Sequence, residues 1–178
     1  MPVDRERVLK SDVKKPKAGG QPLRVLVVED SEFDARMLTG LLRAGGFDPD
    51  SRRVDTEEEM KEVLRDGSWD IVLADYNMPE FSAPEALCLI QEMGLDVPFI
   101  IVSGGIGEDT AVAAMKAGAH DYLMKGNLAR LVPAVERELR EAKVRLARSR
   151  AEQELRASEQ RHRSLIENVS DIIGVLIL

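Results

Sequence analysis

Five side chains of types that handle metal ions and phosphate stand at the ends of apolar runs in this sequence. Glu29 and Asp30 follow the first run, Asp75 ends the second, and Ser103 and Lys125 follow two later runs. Clustered carboxylates repel one another and require a cation, and Mg²⁺ suits such oxygen ligands. A carboxylate can then form an acyl phosphate, while an ammonium and a hydroxyl neutralise and hydrogen-bond the transferred group. The set indicates phosphoryl transfer to Asp75.

Alternating strand and helix patterns position these side chains. Short apolar runs predict buried strands, and apolar residues spaced by three and four predict helices. The predicted strands are 23–28, 50–54, 69–75, 98–102 and 121–124, and the predicted helices are 31–43, 56–65, 84–93, 109–117 and one from about 127 onward. This alternation predicts an α/β fold with a doubly wound parallel sheet, whose sites lie at the carboxyl ends of the strands.

Composition excludes several functional classes. The chain has 178 residues and a formal net charge of −7, which argues against direct nucleic-acid binding. The single cysteine, Cys88, permits no internal disulfide and fits a reducing compartment. No apolar run approaches the roughly 20 residues of a membrane span, and the first residues contain no secretory apolar segment. We expect a cytoplasmic protein without a membrane segment.

Over residues 23–135 the sequence resembles a response-regulator receiver domain of two-component signalling. The matching features are the acidic pair Glu29-Asp30, the segment Asp75-Tyr76-Asn77-Met78-Pro79, Ser103 at the hydroxyl position, and Tyr122 three residues before Lys125. The sequence departs from the family pattern at Gly126, where proline usually follows the lysine. It also departs at Gly104-Gly105 and in the loop after Pro79.

The resemblance implies a fold and a set of roles. The fold is a flavodoxin-like five-stranded sheet of order 2-1-3-4-5. Asp75 is the phosphoacceptor, served by a histidine kinase or a phosphotransfer protein. Mg²⁺ is held by Asp30, Asp75 and the backbone carbonyl of Asn77, with Glu29 in support. Lys125 and Ser103 assist the transfer, and Ser103 and Tyr122 form the switch.

Two readings from other functional classes compete with this one. The first is a phosphohydrolase with an aspartate nucleophile, but such enzymes carry a second aspartate two residues later, where this chain has Asn77. The second is a degenerate receiver that serves only as a dimerising scaffold. The complete set of Asp75, Ser103, Lys125 and the acidic pair favours an active receiver, which is not itself an enzyme.

The last third of the chain predicts a long helix. Residues 128–168 contain no glycine and a single proline, Pro133. Heptad spacing joins Leu139, Ala142, Leu146 and Ser149, and a shifted register joins Leu155, Ser158, His162, Leu165 and Val169. We interpret residues 136–168 as a coiled-coil signalling helix, with a homodimer through residues 128–168. The alternative is a single amphipathic helix that packs back on the receiver.

Both ends of the chain predict other organisation. Residues 1–22 are polar, partly basic and without a period, which is typical of a flexible leader. Residues 171–178 form a β-like apolar run, and residues 161–178 resemble the opening helix and first strand of a PAS domain. We therefore expect residues 169–178 to be the truncated start of such a domain. The longer protein would then be a sensory histidine kinase or a cyclic-dinucleotide enzyme.

Three further residues of chemical interest are expected to have no role in the site. Cys88 lies on the apolar side of a predicted helix, which indicates a core position. His120 follows a glycine in a predicted turn and is expected to be exposed. His162 falls within the long helix without the sequence context of a phosphorylated histidine.

Overall fold

A computed structural model describes residues 19–105 and 107–176 of the chain, with side chains described as far as residue 163. Five strands alternate with five α-helices, and a 3₁₀ helix precedes the last of them. The elements are β1 (Gln21–Val28), α1 (Glu32–Ala44), β2 (Phe47–Val54), α2 (Glu57–Asp66), β3 (Ile71–Asp75), α3 (Ala83–Glu92), β4 (Phe99–Ser103), α4 (Glu108–Lys116), β5 (Asp121–Met124), the 3₁₀ helix Lys125–Arg130 and α5 (Leu131–Leu176).

The strands form one parallel sheet in the order β2-β1-β3-β4-β5, which confirms the doubly wound architecture predicted from the alternation. Asp75 pairs with Val102 across β3 and β4, and Ser103 pairs with Met124 across β4 and β5. Parallel pairing brings the carboxyl ends of all five strands to one edge of the sheet. The side chains after those ends therefore converge.

Helices cover both faces of the sheet. On one face α1 and α5 pack over inward side chains of the strands, with Leu38, Leu42 and Leu131 fully buried. On the other face α2, α3 and α4 contribute Met60, Ile90 and Ala114 to a second cluster. The central strands β3 and β4 are buried along their whole length, as expected for a sheet covered on both sides.

Polar caps fix where the first two helices begin. The Ser31 hydroxyl accepts a hydrogen bond from the Asp34 backbone nitrogen, and the Thr56 hydroxyl accepts one from the Glu59 nitrogen. Each bond satisfies a backbone donor that has no partner within its helix. The Glu59 carboxylate in turn accepts from the nitrogen of Asp55, one residue before the cap, at 3.4 Å.

The start of α5 belongs to the core of the α/β domain. Leu131, Ala134 and Val135 are buried, and Leu139, expected in the coiled-coil seam, packs against the same cluster. Further along, Leu146 is 50% exposed. The core of the α/β domain therefore uses Leu139, the first member of the predicted heptad seam, while a later member of the seam is exposed.

Two polar clusters also hold α5 against the amino-terminal edge of the sheet. Arg137 bonds Asp121, the first residue of β5, at 2.6 Å and the buried Glu138 at 2.8 Å. Eight residues further along α5, Arg145 pairs with Asp96 at 3.1 Å and lies 3.3 Å from the Nε2 of His120. These contacts lie at the opposite edge from the carboxyl ends of the strands.

His120 is half-buried rather than exposed as the turn pattern suggested. Its Nδ1 accepts a hydrogen bond from the backbone nitrogen of Phe99 at 3.1 Å. Burial lowers the pKa of His120 below its usual value, and the nearby Arg145 guanidinium lowers it further. The sequence pattern could not reveal this, because Arg145 reaches the turn from an element 25 residues away.

Two further expectations about position were wrong. Helix α5 continues to Leu176, so residues 171–176 are helical where a strand was expected. Short apolar runs fit either structure, and a helix satisfies its backbone hydrogen bonds without a neighbouring strand. Cys88 is exposed on α3, with its thiol beside Glu92, instead of lying in the core.

The amino-terminal boundary also differs from the prediction. Gln21 and Pro22 belong to β1, so the first strand begins two residues before its predicted start at residue 23. Residues 1–18 of the expected leader, like residues 177–178, lie outside the described part of the chain. In the part that is described, no helix is both long enough and apolar enough to cross a membrane.

Candidate functional site

Glu29 is a carboxylate buried at the end of β1, with both of its oxygens bonded. It is 1% exposed. Its Oε1 accepts from the backbone nitrogen of Ser31 at 3.1 Å, and its Oε2 accepts from Lys125 at 2.9 Å. Burial raises the pKa of Glu29 above its ordinary value, and the hydrogen bond from Lys125 opposes that rise. Because both oxygens are bonded, the cost of burying this group is reduced.

Lys125 lies at the centre of the site. Its ammonium nitrogen is 2.9 Å from Glu29 Oε2, 2.8 Å from Asp75 Oδ2 and 2.5 Å from Asp34 Oδ2. Burial alone would lower the pKa of Lys125, but the hydrogen bonds to the three carboxylates outweigh it and the pKa is raised. The lysine is therefore a permanent cation whose three N–H donors are all occupied.

The structure brings together the three carboxylates expected to bind a metal ion. One oxygen from each of Glu29, Asp30 and Asp75 lies within 4.8 Å of the others. Asp30 is exposed and the other two are buried, so the cluster opens to solvent on one side. Hard carboxylate oxygens around an open position fit Mg²⁺, which keeps several water ligands. The donor set thus fits the expected ion.

Asn77 and Ser103 lie where the strand ends place them. The backbone nitrogen of Asn77 donates to Asp75 Oδ1 at 3.3 Å, so the loop after β3 folds back on the Asp75 carboxylate. Ser103 is fully buried at the end of β4, and its hydroxyl accepts from the Gly105 nitrogen at 3.4 Å. Register places Ser103 one residue beyond Val102, the partner of Asp75 on the neighbouring strand.

Tyr122 lies on β5 opposite Ile101 and packs against the cluster beneath α4. Its hydroxyl is a buried side-chain oxygen without a hydrogen-bond partner among the described residues. A buried polar group without a partner costs free energy. The position of this ring is therefore weakly determined by polar contacts.

Sequence reasoning missed two residues of the site. Asp34 reaches Lys125 from the first turn of α1, and Arg53 donates to the backbone oxygen of Glu29 at 2.9 Å from the end of β2. Side chains in a helix point toward its amino terminus, and α1 begins directly after the acidic pair. The sequence signal for Asp34 was therefore its place in the first turn of α1, from which a side chain points back toward the acidic pair. For Arg53, the signal was its place next to the last residue of β2.

Comparison with known proteins assigns the family. The family model of the response regulator receiver domain matches residues 25–136. The five-stranded parallel sheet and the acidic site at its carboxyl edge define the same class of domain. The chain therefore belongs to the response regulator receiver domain family and is a receiver of two-component signalling.

Relatives carry this domain in longer proteins. The chain is 36% identical over 121 residues to the transcriptional regulatory protein PrrA of Mycobacterium leprae, covering 66% of this chain and 50% of that protein. It is 30% identical over 103 residues to the cell cycle transcriptional regulator CtrA of Caulobacter vibrioides, covering 58% and 44%. The chain thus spans half or less of these relatives.

Solved structures show the same fold. A response regulator receiver domain protein from Clostridium thermocellum matches with a TM-score of 0.61 at 26% identity, covering 68% of this chain and 98% of that one. The response regulator StyR matches with a TM-score of 0.62 at 28% identity, covering 75% and 67%. Both likenesses support the assignment to the receiver family.

Proposed function

We propose that Asp75 accepts a phosphoryl group from a histidine kinase or a phosphotransfer protein, in a reaction that requires Mg²⁺. The observation that carries this proposal is the contact of 2.8 Å between the Lys125 ammonium and the Asp75 carboxylate inside the acidic cluster. A nucleophile and a cation that can neutralise the transferred charge are then adjacent before the donor arrives.

The side chains divide the work of the transfer. A carboxylate oxygen of Asp75 attacks the phosphorus, the bond from phosphorus to the donor's histidine nitrogen breaks, and its electron pair stays on the imidazole. Lys125 donates a hydrogen bond to a phosphoryl oxygen, and the Ser103 hydroxyl does the same. Asp30, Asp75 and the backbone carbonyl of Asn77 would hold Mg²⁺, with Glu29 in support. When bound, the ion supplies positive charge that offsets the cluster and the phosphoryl oxygens.

The signal is then proposed to leave through β5 and α5. When Ser103 turns toward the phosphoryl group, Tyr122 enters the space beneath α4 and alters the surface that α4, β5 and α5 share. Helix α5 carries this change to an output module beyond the receiver, for which a PAS domain is our candidate. Exposed apolar residues of α5 such as Leu146 and Leu155 favour pairing of two copies along the free part of the helix, within residues 128–168.

The proposed function is tested by phosphorylation with acetyl phosphate and Mg²⁺, followed by mass spectrometry and peptide mapping. We expect one adduct, on Asp75, that is lost in Asp75→Asn and when Mg²⁺ is removed. Asp109→Asn is the matched control, because Asp109 is an exposed acid in the first turn of α4. Labelling that persists in Asp75→Asn would contradict the assignment. Continuous hydrolysis without an adduct would favour the phosphohydrolase, and no reaction at all the scaffold.

A further inference from the structure

The contact between Asp34 and Lys125 lies outside the carboxylate cluster that fits a metal ion. Asp34 Oδ2 is 2.5 Å from the Lys125 nitrogen, which is the shortest of the three contacts of that ammonium. The Asp34 side chain is 24% exposed, so it turns toward the site more than toward solvent. Among the described residues, Lys125 is the one cation with which Asp34 forms an ion pair.

An acid in the first turn of a helix has an ordinary structural explanation, because it interacts favourably with the helix dipole. Asp34 is the third residue of α1, and its backbone nitrogen is bonded to the capping Ser31. Glu32 of the same turn shows what such an acid does when it serves only the helix. Its side chain is 70% exposed and pairs with Arg36 four residues later. Asp34 differs, since its carboxylate contacts a residue 91 positions away.

The three contacts of Lys125 leave its ammonium without a spare donor. A lysine ammonium has three N–H groups, and each faces a different carboxylate. A phosphoryl oxygen that arrives at Asp75 must replace one of them to receive a hydrogen bond from Lys125. Glu29 and Asp75 belong to the carboxylate cluster that could hold a metal ion, whereas Asp34 stands outside it. A metal ion bound to the cluster would offset the charges of Glu29 and Asp75 but not that of Asp34. Asp34 is therefore the carboxylate that still competes with the phosphoryl group for the Lys125 ammonium.

We propose that Asp34 is a positioning residue that holds Lys125 against α1 and thereby restrains phosphorylation of Asp75. This inference rests on the proposed function. Asp34 touches neither the phosphoryl donor nor the acceptor; it acts through Lys125, by occupying a donor that the reaction needs and by placing a further negative charge beside an anionic substrate. The unphosphorylated form of this receiver is thereby favoured over the phosphorylated one.

The test compares Asp34→Asn with the matched control Glu32→Gln, which removes the same charge from the same helical turn without a contact to Lys125. Two quantities are measured in saturating Mg²⁺: the rate constant for phosphorylation by acetyl phosphate, and the dissociation constant of beryllofluoride, which mimics the phosphoryl group without a reaction. Because asparagine carries no charge, its hydrogen bond to Lys125 is weaker and the negative charge beside the incoming anion is removed. We therefore expect Asp34→Asn to react about tenfold faster and to bind beryllofluoride about tenfold more tightly. Glu32→Gln should stay within about twofold of the wild type.

The outcomes separate the two proposals. If Asp34→Asn is unchanged or slower while the wild type still labels at Asp75, the restraint is refuted and the proposed function stands. If Glu32→Gln gains as much as Asp34→Asn, the effect is general electrostatics and the specific contact with Lys125 is refuted as its cause. If the wild type takes no phosphoryl group and binds no beryllofluoride, the proposed function fails, and this inference fails with it.

Discussion

Replacing Asp75 by asparagine is expected to stabilise the receiver when no divalent ion is present. Asp75 is repelled by Glu29 and Asp30, whose ligand oxygens lie within 4.8 Å of its own, and attracted by Lys125 at 2.8 Å. Asparagine has the same shape and keeps an oxygen that can accept from Lys125, but it carries no charge. The substitution therefore removes the repulsions and only part of the attraction.

The distances give the sign and the size of this effect. At an effective dielectric constant of about 20, the attraction over 2.8 Å is about 6 kcal/mol, and each repulsion, over at most 4.8 Å, is at least about 3.5 kcal/mol. The two repulsions outweigh the attraction by about 1 kcal/mol. Solvent screening of the exposed Asp30 makes this energy difference smaller. Removal of the desolvation cost of the charged Asp75 carboxylate makes it larger. We expect a gain of about 1 kcal/mol, or about 4 °C in Tm.

Urea denaturation in EDTA and again in Mg²⁺ measures the effect. In EDTA the Asp75→Asn variant should be the more stable protein. In Mg²⁺ at about 100 times its dissociation constant the wild type should gain about 2.7 kcal/mol and become the more stable one. Asp50→Asn is the control, because that side chain is 81% exposed. The reasoning is refuted if the variant loses 1 kcal/mol or more in EDTA, or if Mg²⁺ stabilises both proteins equally.

Three further predictions concern the metal, the pH and the long helix. Asp30→Asn should weaken Mg²⁺ binding by about tenfold in calorimetry, since an anionic ligand is lost. Equal Mg²⁺ affinities of the wild type and the variant would show that Asp30 is not a ligand. Because the pKa of His120 is lowered by burial and by Arg145, its contribution to stability is present above about pH 6.5 and is lost as the pH falls through the folded value. The stability difference between wild type and His120→Gln should therefore shrink on acidification, and a constant difference would contradict this. A chain that ends at Arg148 retains the Arg145 contact and should be monomeric in light scattering, while the 178-residue chain should be a dimer; a monomeric full chain would exclude pairing through α5.

The strands could be predicted where burial leaves a clear signal. Both β3 and β4 are buried at every position and appear in the sequence as unbroken apolar runs. The edge strand β2 was recognised only in part, as residues 50–54 of Phe47–Val54. Its exposed residues 50–53 give no apolar pattern, and the missed residues 47–49 contain Asp48 and Pro49, which are residue types depleted in strands. Pattern reasoning thus succeeds in the middle of this sheet and weakens at its edge.

Site residues were predictable where topology alone brings them together. Glu29, Asp30, Asp75 and Lys125 follow strand ends, and a parallel sheet places such residues side by side. Asp34 escaped this rule because its position depends on how α1 packs on the sheet. The burial of His120 escaped it because the neighbouring Arg145 comes from α5. Contacts made by packing between helices and the sheet leave little trace in a local pattern.

The two ends of β5 explain where a change at Asp75 can be accommodated. At its carboxyl end β5 is followed by Lys125, which under the proposed function turns toward the phosphoryl group, and at its amino end Asp121 is bonded to Arg137 of α5. The strand itself is held in register with β4, so it cannot slide. Between Lys125 and the buried Leu131 lies only the 3₁₀ helix, in which Asn127 has non-helical backbone angles. Since both flanks are held by these contacts, we expect this short segment to bend first and to pass the change on to the start of α5.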